Sequence, residues 1–122
     1  MKLFVYGTLR SGYGNYRLLR GCRCLGTLRT VPGYRLYHYG IPYVVPSPRS
    51  SASVEGEVYE VNEAALARID DLEGHPIFYE RKPVKLSDGS MAEGYFMSFA
   101  RLPLEARYVP SGKFTDVRTR AD

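Results

Sequence analysis

The stretch "VEGEVYEVNEAALARIDDLEGHPIFYER", residues 54–81, decides how this chain folds. Its first eight residues read as a strand. Asn62 then stands where a helix would be capped, and Ala65, Leu66, Ile69 and Leu72 follow on one face, at i, i+1, i+4 and i+7. Gly74 is a natural residue to end that helix, and Pro76 prevents its continuation. One residue sits oddly in this scheme. Glu73 falls in the last helical turn, beside unpaired carbonyls and the negative end of the helix dipole. Both disfavour an ionised carboxylate and are expected to raise its pKa, as is burial against Phe78 or Tyr79.

Outward from this stretch, "KLFVY" near the N-terminus reads as a buried strand, and "GTLRSGYGN" as a glycine-rich loop. Asn15 is expected to cap a short helix, "YRLLR", closed by Gly21. "CRCLGTLRTV" and "YRLYHYG" read as strands joined through Pro32 and Gly33. "IPYVVPSPRSSAS" is rich in proline and serine and reads as an exposed connection. Beyond the central helix, "FYERKPVKL" and "MAEGYFMSF" flank Asp88-Gly89, a hairpin signal. "EARYV" is a last short strand before "PSGKFTD". Strands dominate over two helices, and several neighbours read as antiparallel. The expected class is α+β: a small mixed β-barrel or curved sheet with a few short helices packed outside.

The 122 residues suit a single domain, 1–122. No apolar run approaches the ~20 residues that span a bilayer. "MKLFVYGTLR" lacks the long apolar core of a signal peptide, so a cytoplasmic protein is expected. The net charge is +4, with a pI near 9.1. The basic residues are spread along the chain, densest at Arg17, Arg20, Arg23 and Arg29 and in the tail "DVRTRAD". Without a clustered patch, nucleic acid is not an expected partner. Cys22 and Cys24 at i and i+2 of a strand would lie about 6.5 Å apart. A disulfide needs its Cβ atoms nearer ~4 Å, so free thiols with a packing role are expected.

The inventory of chemistry is short. His38 and His75 have no second ligand at metal spacing, and the Cys-x-Cys pair has no partner pair, so no metal is called for. No serine lies in a nucleophile elbow. "GTLRSGYG" matches neither a phosphate loop nor a dinucleotide fingerprint, so no cofactor is implied. Two features remain. The turn Tyr6, Gly7, Thr8, Leu9 can aim backbone N–H groups inward, and a helix beginning near Asn15 would add to its affinity for a carboxylate. Glu73, moved toward neutrality, is suited to general acid or base work near neutral pH. Tyr79 and Arg81 share a strand face and are expected beside Glu73, where they would place or polarise a ligand.

Taken together, "VYGTLR" and "IDDLEGHPIFYERKPVKL" resemble the γ-glutamylcyclotransferase-like family, with Asp70, Glu73, Gly74, Tyr79 and Arg81 at that family's motif positions. "VEGEVYEV", "EGYFM" and "ARYVPSGKFTD" extend the resemblance nearly end to end. It implies a small mixed barrel with a cavity between the Tyr6–Leu9 turn and a catalytic Glu73. It implies a small-molecule γ-glutamyl substrate, whose α-amine attacks its own γ-carbonyl to give 5-oxoproline and a free amine or amino acid. The alternative on the same fold is a non-catalytic module that binds a carboxylate-bearing metabolite. The leaving amine and the oligomeric state are not written in the sequence.

Overall fold

The computed structural model describes residues 1–116; the basic tail at 117–122 lies outside them. In chain order, the strands are β1 (Lys2–Val5), β2 (Arg23–Arg29), β3 (Tyr34–Tyr39), β4 (Ile41–Pro46) and β5 (Glu55–Glu60). The helix α1 (Glu63–Glu73) follows, then β6 (Glu80–Lys85), β7 (Met91–Phe96) and β8 (Arg107–Val109). Five strands form one sheet in the order β2-β5-β1-β7-β6, and three form another in the order β4-β3-β8. β1 is parallel to β7 and antiparallel to β5, so the larger sheet is mixed, as expected.

The sheet curls without closing. Its two edges approach at one end, where Thr30 and Leu86 form an isolated antiparallel bridge. That single bridge does not make a barrel, and the closed-barrel form of the expectation gives way to two packed curved sheets. The sheets are joined where the Met97 N–H donates to the Val44 carbonyl at 3.0 Å. Apolar side chains fill the space between and beneath them, with Leu3, Phe4, Val44, Val58 and Leu86 almost wholly buried.

α1 begins and ends where the sequence places it. The Asn62 side chain accepts from the Ala65 N–H at 2.8 Å, and Gly74 closes the helix with φ of 66°, a conformation that costs other residues more. Ala65 and Ile69 are buried against the core; burying Ile69 contributes about 1.5–3 kcal/mol. Leu66 packs partly against the same cluster, while Leu72 turns to the surface. After Gly74 the chain folds tightly back: the Ile77 and Phe78 N–H groups both donate to the Gly74 carbonyl at 2.8 Å.

Two local expectations fail. "YRLLR" forms one 3-10 turn, Tyr16–Leu19, and Asn15 does not cap it. Its amide instead donates to the Thr8 hydroxyl at 2.8 Å, so no helix N-terminus faces the first loop. "IPYVVP" is not an exposed connection but β4, with Pro42 through Val45 buried. β4 pairs only with β3, and an edge strand tolerates the two prolines that would break a central one. Cys22 and Cys24 are free: Cys22 packs against the core, and Cys24 is exposed. No helix among the described residues is long and apolar enough to cross a membrane.

Candidate active site

A cavity of about 230 Å³ lies where the turn after β1, the C-terminal end of α1 and the start of β4 converge. The turn supplies Tyr6, Gly7, Thr8 and Leu9, the helix end supplies Leu72 and Glu73, and Tyr95 comes from β7. Phe78 and Tyr79, from the segment behind α1, and Ile41 and Pro42, from β4, complete its walls.

The turn is built by its own backbone. The Arg10 N–H donates to the Gly7 carbonyl, and the Asn15 N–H to the Thr8 carbonyl, each at 3.0 Å. The loop beyond is pinned from below by Glu57, whose carboxylate accepts the Ser11 N–H at 2.7 Å, the Ser11 hydroxyl at 2.9 Å and the Tyr59 hydroxyl at 2.9 Å. Among the described residues, the N–H groups of Gly7, Thr8 and Leu9 donate to nothing. Three successive uncommitted N–H groups thus belong to a turn that lines the cavity, and such runs of backbone N–H groups are suited to anionic oxygens. The turn also packs closely on β4: a Cβ added to Gly7 would stand 2.8 Å from the Pro42 ring.

Glu73 shares the cavity. Burial alone pushes its carboxyl up from 4.5 to about 7, with no ion pair or hydrogen bond opposing it. The sequence-based expectation of a raised value therefore holds, with burial as the cause. The surrounding tyrosines point their protons away. The Tyr6 hydroxyl donates to the Tyr95 carbonyl at 2.6 Å, the Tyr79 hydroxyl to the Pro42 carbonyl, and the Tyr95 hydroxyl to Asp70 at 2.6 Å. Burial raises all three well above the ordinary phenol value, and the nearby Glu73 adds to the rise. They are neutral walls, and among the described residues Glu73 is the lining side chain whose pKa falls near neutrality.

Tyr6, Gly7, Thr8, Leu9, Glu73 and Tyr79 are thus brought together as the sequence suggests. Arg81 is not on the cavity wall, and Tyr79, which is, stands one residue before β6. The Arg81 guanidinium is committed to Asp70 at 2.9 Å and to Glu93 at 2.9 Å. Its contact with the site runs through Asp70 and Tyr95. The sequence reading missed Tyr95, Ile41 and Pro42, which arrive from distant strands. Tyr95 had one signal, its place in the "EGYFM" segment of the predicted hairpin, which also carries part of the family resemblance.

The chain that carries this cavity is similar to known proteins. Residues 3–116 match the family model described as gamma-glutamyl cyclotransferase, AIG2-like, and the chain belongs to that family. A Methanocaldococcus jannaschii protein with the provisional name gamma-glutamylcyclotransferase is 47% identical over 85 residues, 69% of this chain and 70% of that one. The human gamma-glutamylaminecyclotransferase is 38% identical over 92 residues, 69% of this chain and 60% of that longer protein. The crystal structure of an AIG2-like protein from Mus musculus superposes with a TM-score of 0.75 at 28% identity, covering 90% of this chain and 86% of that one.

Proposed function

We propose that this chain is an intramolecular aminoacyl cyclotransferase that releases 5-oxoproline from a γ-glutamyl amine or peptide, with Glu73 as its general acid and base. The observation that carries the reading is a carboxylate with a pKa near 7 in the same cavity as three uncommitted backbone N–H groups.

The nucleophile and the electrophile belong to one substrate molecule, so the protein has only to hold a near-attack conformer. The α-ammonium is not nucleophilic. Glu73 takes a proton from it, and the freed amine attacks the γ-carbonyl. The C–N bond of the new ring forms as the carbonyl oxygen gains charge, and the turn N–H groups receive that oxyanion or hold the substrate's α-carboxylate. Glu73 then returns the proton to the departing nitrogen, the old amide C–N bond breaks, and the second proton of the ring nitrogen passes through the same carboxylate to the freed amine, which leaves as an ammonium. Tyr6, Tyr79 and Tyr95 shape the cavity, and Arg81 acts through Asp70.

The test is 5-oxoproline release from a panel of γ-glutamyl amines and peptides, followed across pH. Because Glu73 must be ionised to accept the ammonium proton, turnover should fall about tenfold per pH unit below about 7. A panel without release, or an acidic limb near the ordinary glutamate value, would overturn the assignment.

The turn can be tested separately. Gly7→Ala must displace either the turn or Pro42, since the added methyl has no room. Turnover should fall by up to about 100-fold, because small misplacements of reacting groups cost that much. The stability loss should stay near 1–3 kcal/mol, the usual range for overpacking. Steady-state kinetics and thermal unfolding on the same preparation separate the two.

A further inference from the structure

We propose that the substituent carried by the leaving nitrogen is uncharged and apolar, and that Ile41, Leu72 and Phe78 select it. The inference rests on the cyclotransferase reading and names the substrate class within it.

Ile41, Leu72 and Phe78 all line the cavity, yet they are 40%, 44% and 40% exposed. They therefore form its mouth. They come from three separate segments: the first residue of β4, the last turn of α1 and the chain behind the helix. Large apolar side chains gathered at a cavity rim mark a surface meant to be covered. Phe78 is also held in place. Its ring meets Tyr79 edge-on at 4.9 Å and lies 6.4 Å from Tyr43, so this side of the mouth is buttressed by aromatic rings.

The charges point the same way. Among the described residues, no lysine, arginine, histidine or aspartate lines the cavity, and Glu73 is its single carboxylate. Arg101 reaches the carbonyls of Ile77 and Phe78 but lines a different hollow. A leaving group with its own carboxylate would enter without a cation and be repelled by Glu73. A leaving group with a distal ammonium would compete with the substrate's α-ammonium for that one carboxylate. An alkyl or aryl amine does neither and covers the exposed rim.

The experiment uses glutaramic acids N-substituted with ethyl, propyl, butyl, benzyl or carboxymethyl groups. They lack the α-amine and cannot cyclise, so their affinities report binding alone. Matching γ-glutamyl amides are assayed for 5-oxoproline in parallel. Affinity and kcat/KM should climb about fourfold per methylene from ethyl to butyl. The carboxymethyl compound should bind at least about tenfold more weakly than its propyl analogue. In a Leu72→Ser, Phe78→Ser variant the gain should fall below about twofold per methylene. Flat or falling affinity with chain length alongside 5-oxoproline release would overturn the apolar mouth and leave the cyclotransferase reading standing. Rising affinity without release would uphold the apolar mouth and overturn the cyclotransferase reading. A variant that folds and keeps the full methylene gain would overturn the assignment of these residues.

Discussion

Glu73→Gln should lower turnover by about 10²–10⁴-fold, the usual worth of general acid–base catalysis, and should make the protein more stable above neutral pH. The amide keeps the shape of the carboxylate but cannot accept the ammonium proton. Substrate affinity should change far less if, as proposed, the turn N–H groups hold the anionic end. The stability effect follows from the raised pKa. In the unfolded chain Glu73 ionises near 4.5, and in the folded protein near 7. Below pH 4.5 the carboxyl is neutral in both states, and the two proteins should unfold alike. Between 4.5 and 7 the unfolded chain releases its proton first, so rising pH favours unfolding. Above 7 the penalty is complete, at most about 3 kcal/mol. The glutamine variant escapes it. Its melting temperature should match wild type at pH 4 and exceed it by several degrees at pH 8. A variant with wild-type turnover and no gain at pH 8 would remove Glu73 from both the chemistry and the buried site.

Asp70→Ala should destabilise the fold by about 2–3 kcal/mol and impair the site as well. Asp70 accepts from Arg81 Nε at 2.9 Å and from the Tyr95 hydroxyl at 2.6 Å, and Arg81 reaches on to Glu93 at 2.9 Å. The cluster ties α1 to β6 and β7, directly behind the cavity wall formed by Tyr95. Its side chains are about one-fifth exposed, 19% for Arg81 and 22% for Asp70. The loss should therefore fall between the ~0–1 kcal/mol of a surface pair and the 3–5 kcal/mol of breaking a buried one. That predicts a melting temperature lower by roughly ten degrees. Tyr95→Phe alone should cost about 1 kcal/mol. If the Asp70 and Tyr95 changes add independently in a double-mutant cycle, the hydroxyl contact contributes nothing and the account of Tyr95 positioning fails.

What could be read from the sequence was whatever short-range chemistry decides. Asn62 and Gly74 bound α1 through contacts within a few residues, and both ends were legible. So were the turn after β1 and the unusual place of Glu73. What could not be read depends on partners that only the folded chain brings together. β4 hid behind its prolines because whether a strand is central or at an edge is a property of the sheet. Asn15 carries a capping side chain, but the nearby Thr8 hydroxyl captures it. Arg81 carries a motif position but no address, and only the fold shows that Asp70 and Glu93 occupy its guanidinium. Tyr95 enters the cavity because β7 lies beside β1, a pairing that no local pattern announces.

That pairing bears on how the protein is made. Leu3 is opposite Glu93 in the sheet, so the second partner of β1 is synthesised some ninety residues after it. At about 5–20 residues per second, β1 leaves the ribosome roughly 5–20 s before β7 can receive it. Closing a loop of that length precedes any reward from the contacts it brings, which slows the search. Meanwhile "LFV" can pair with β5, but its other edge waits for β7, open to pairing with other nascent chains. Yield on expression should therefore improve at lower temperature, where hydrophobic association between waiting strands weakens. The cavity, which needs both the turn after β1 and Tyr95, is among the last parts of the molecule to exist.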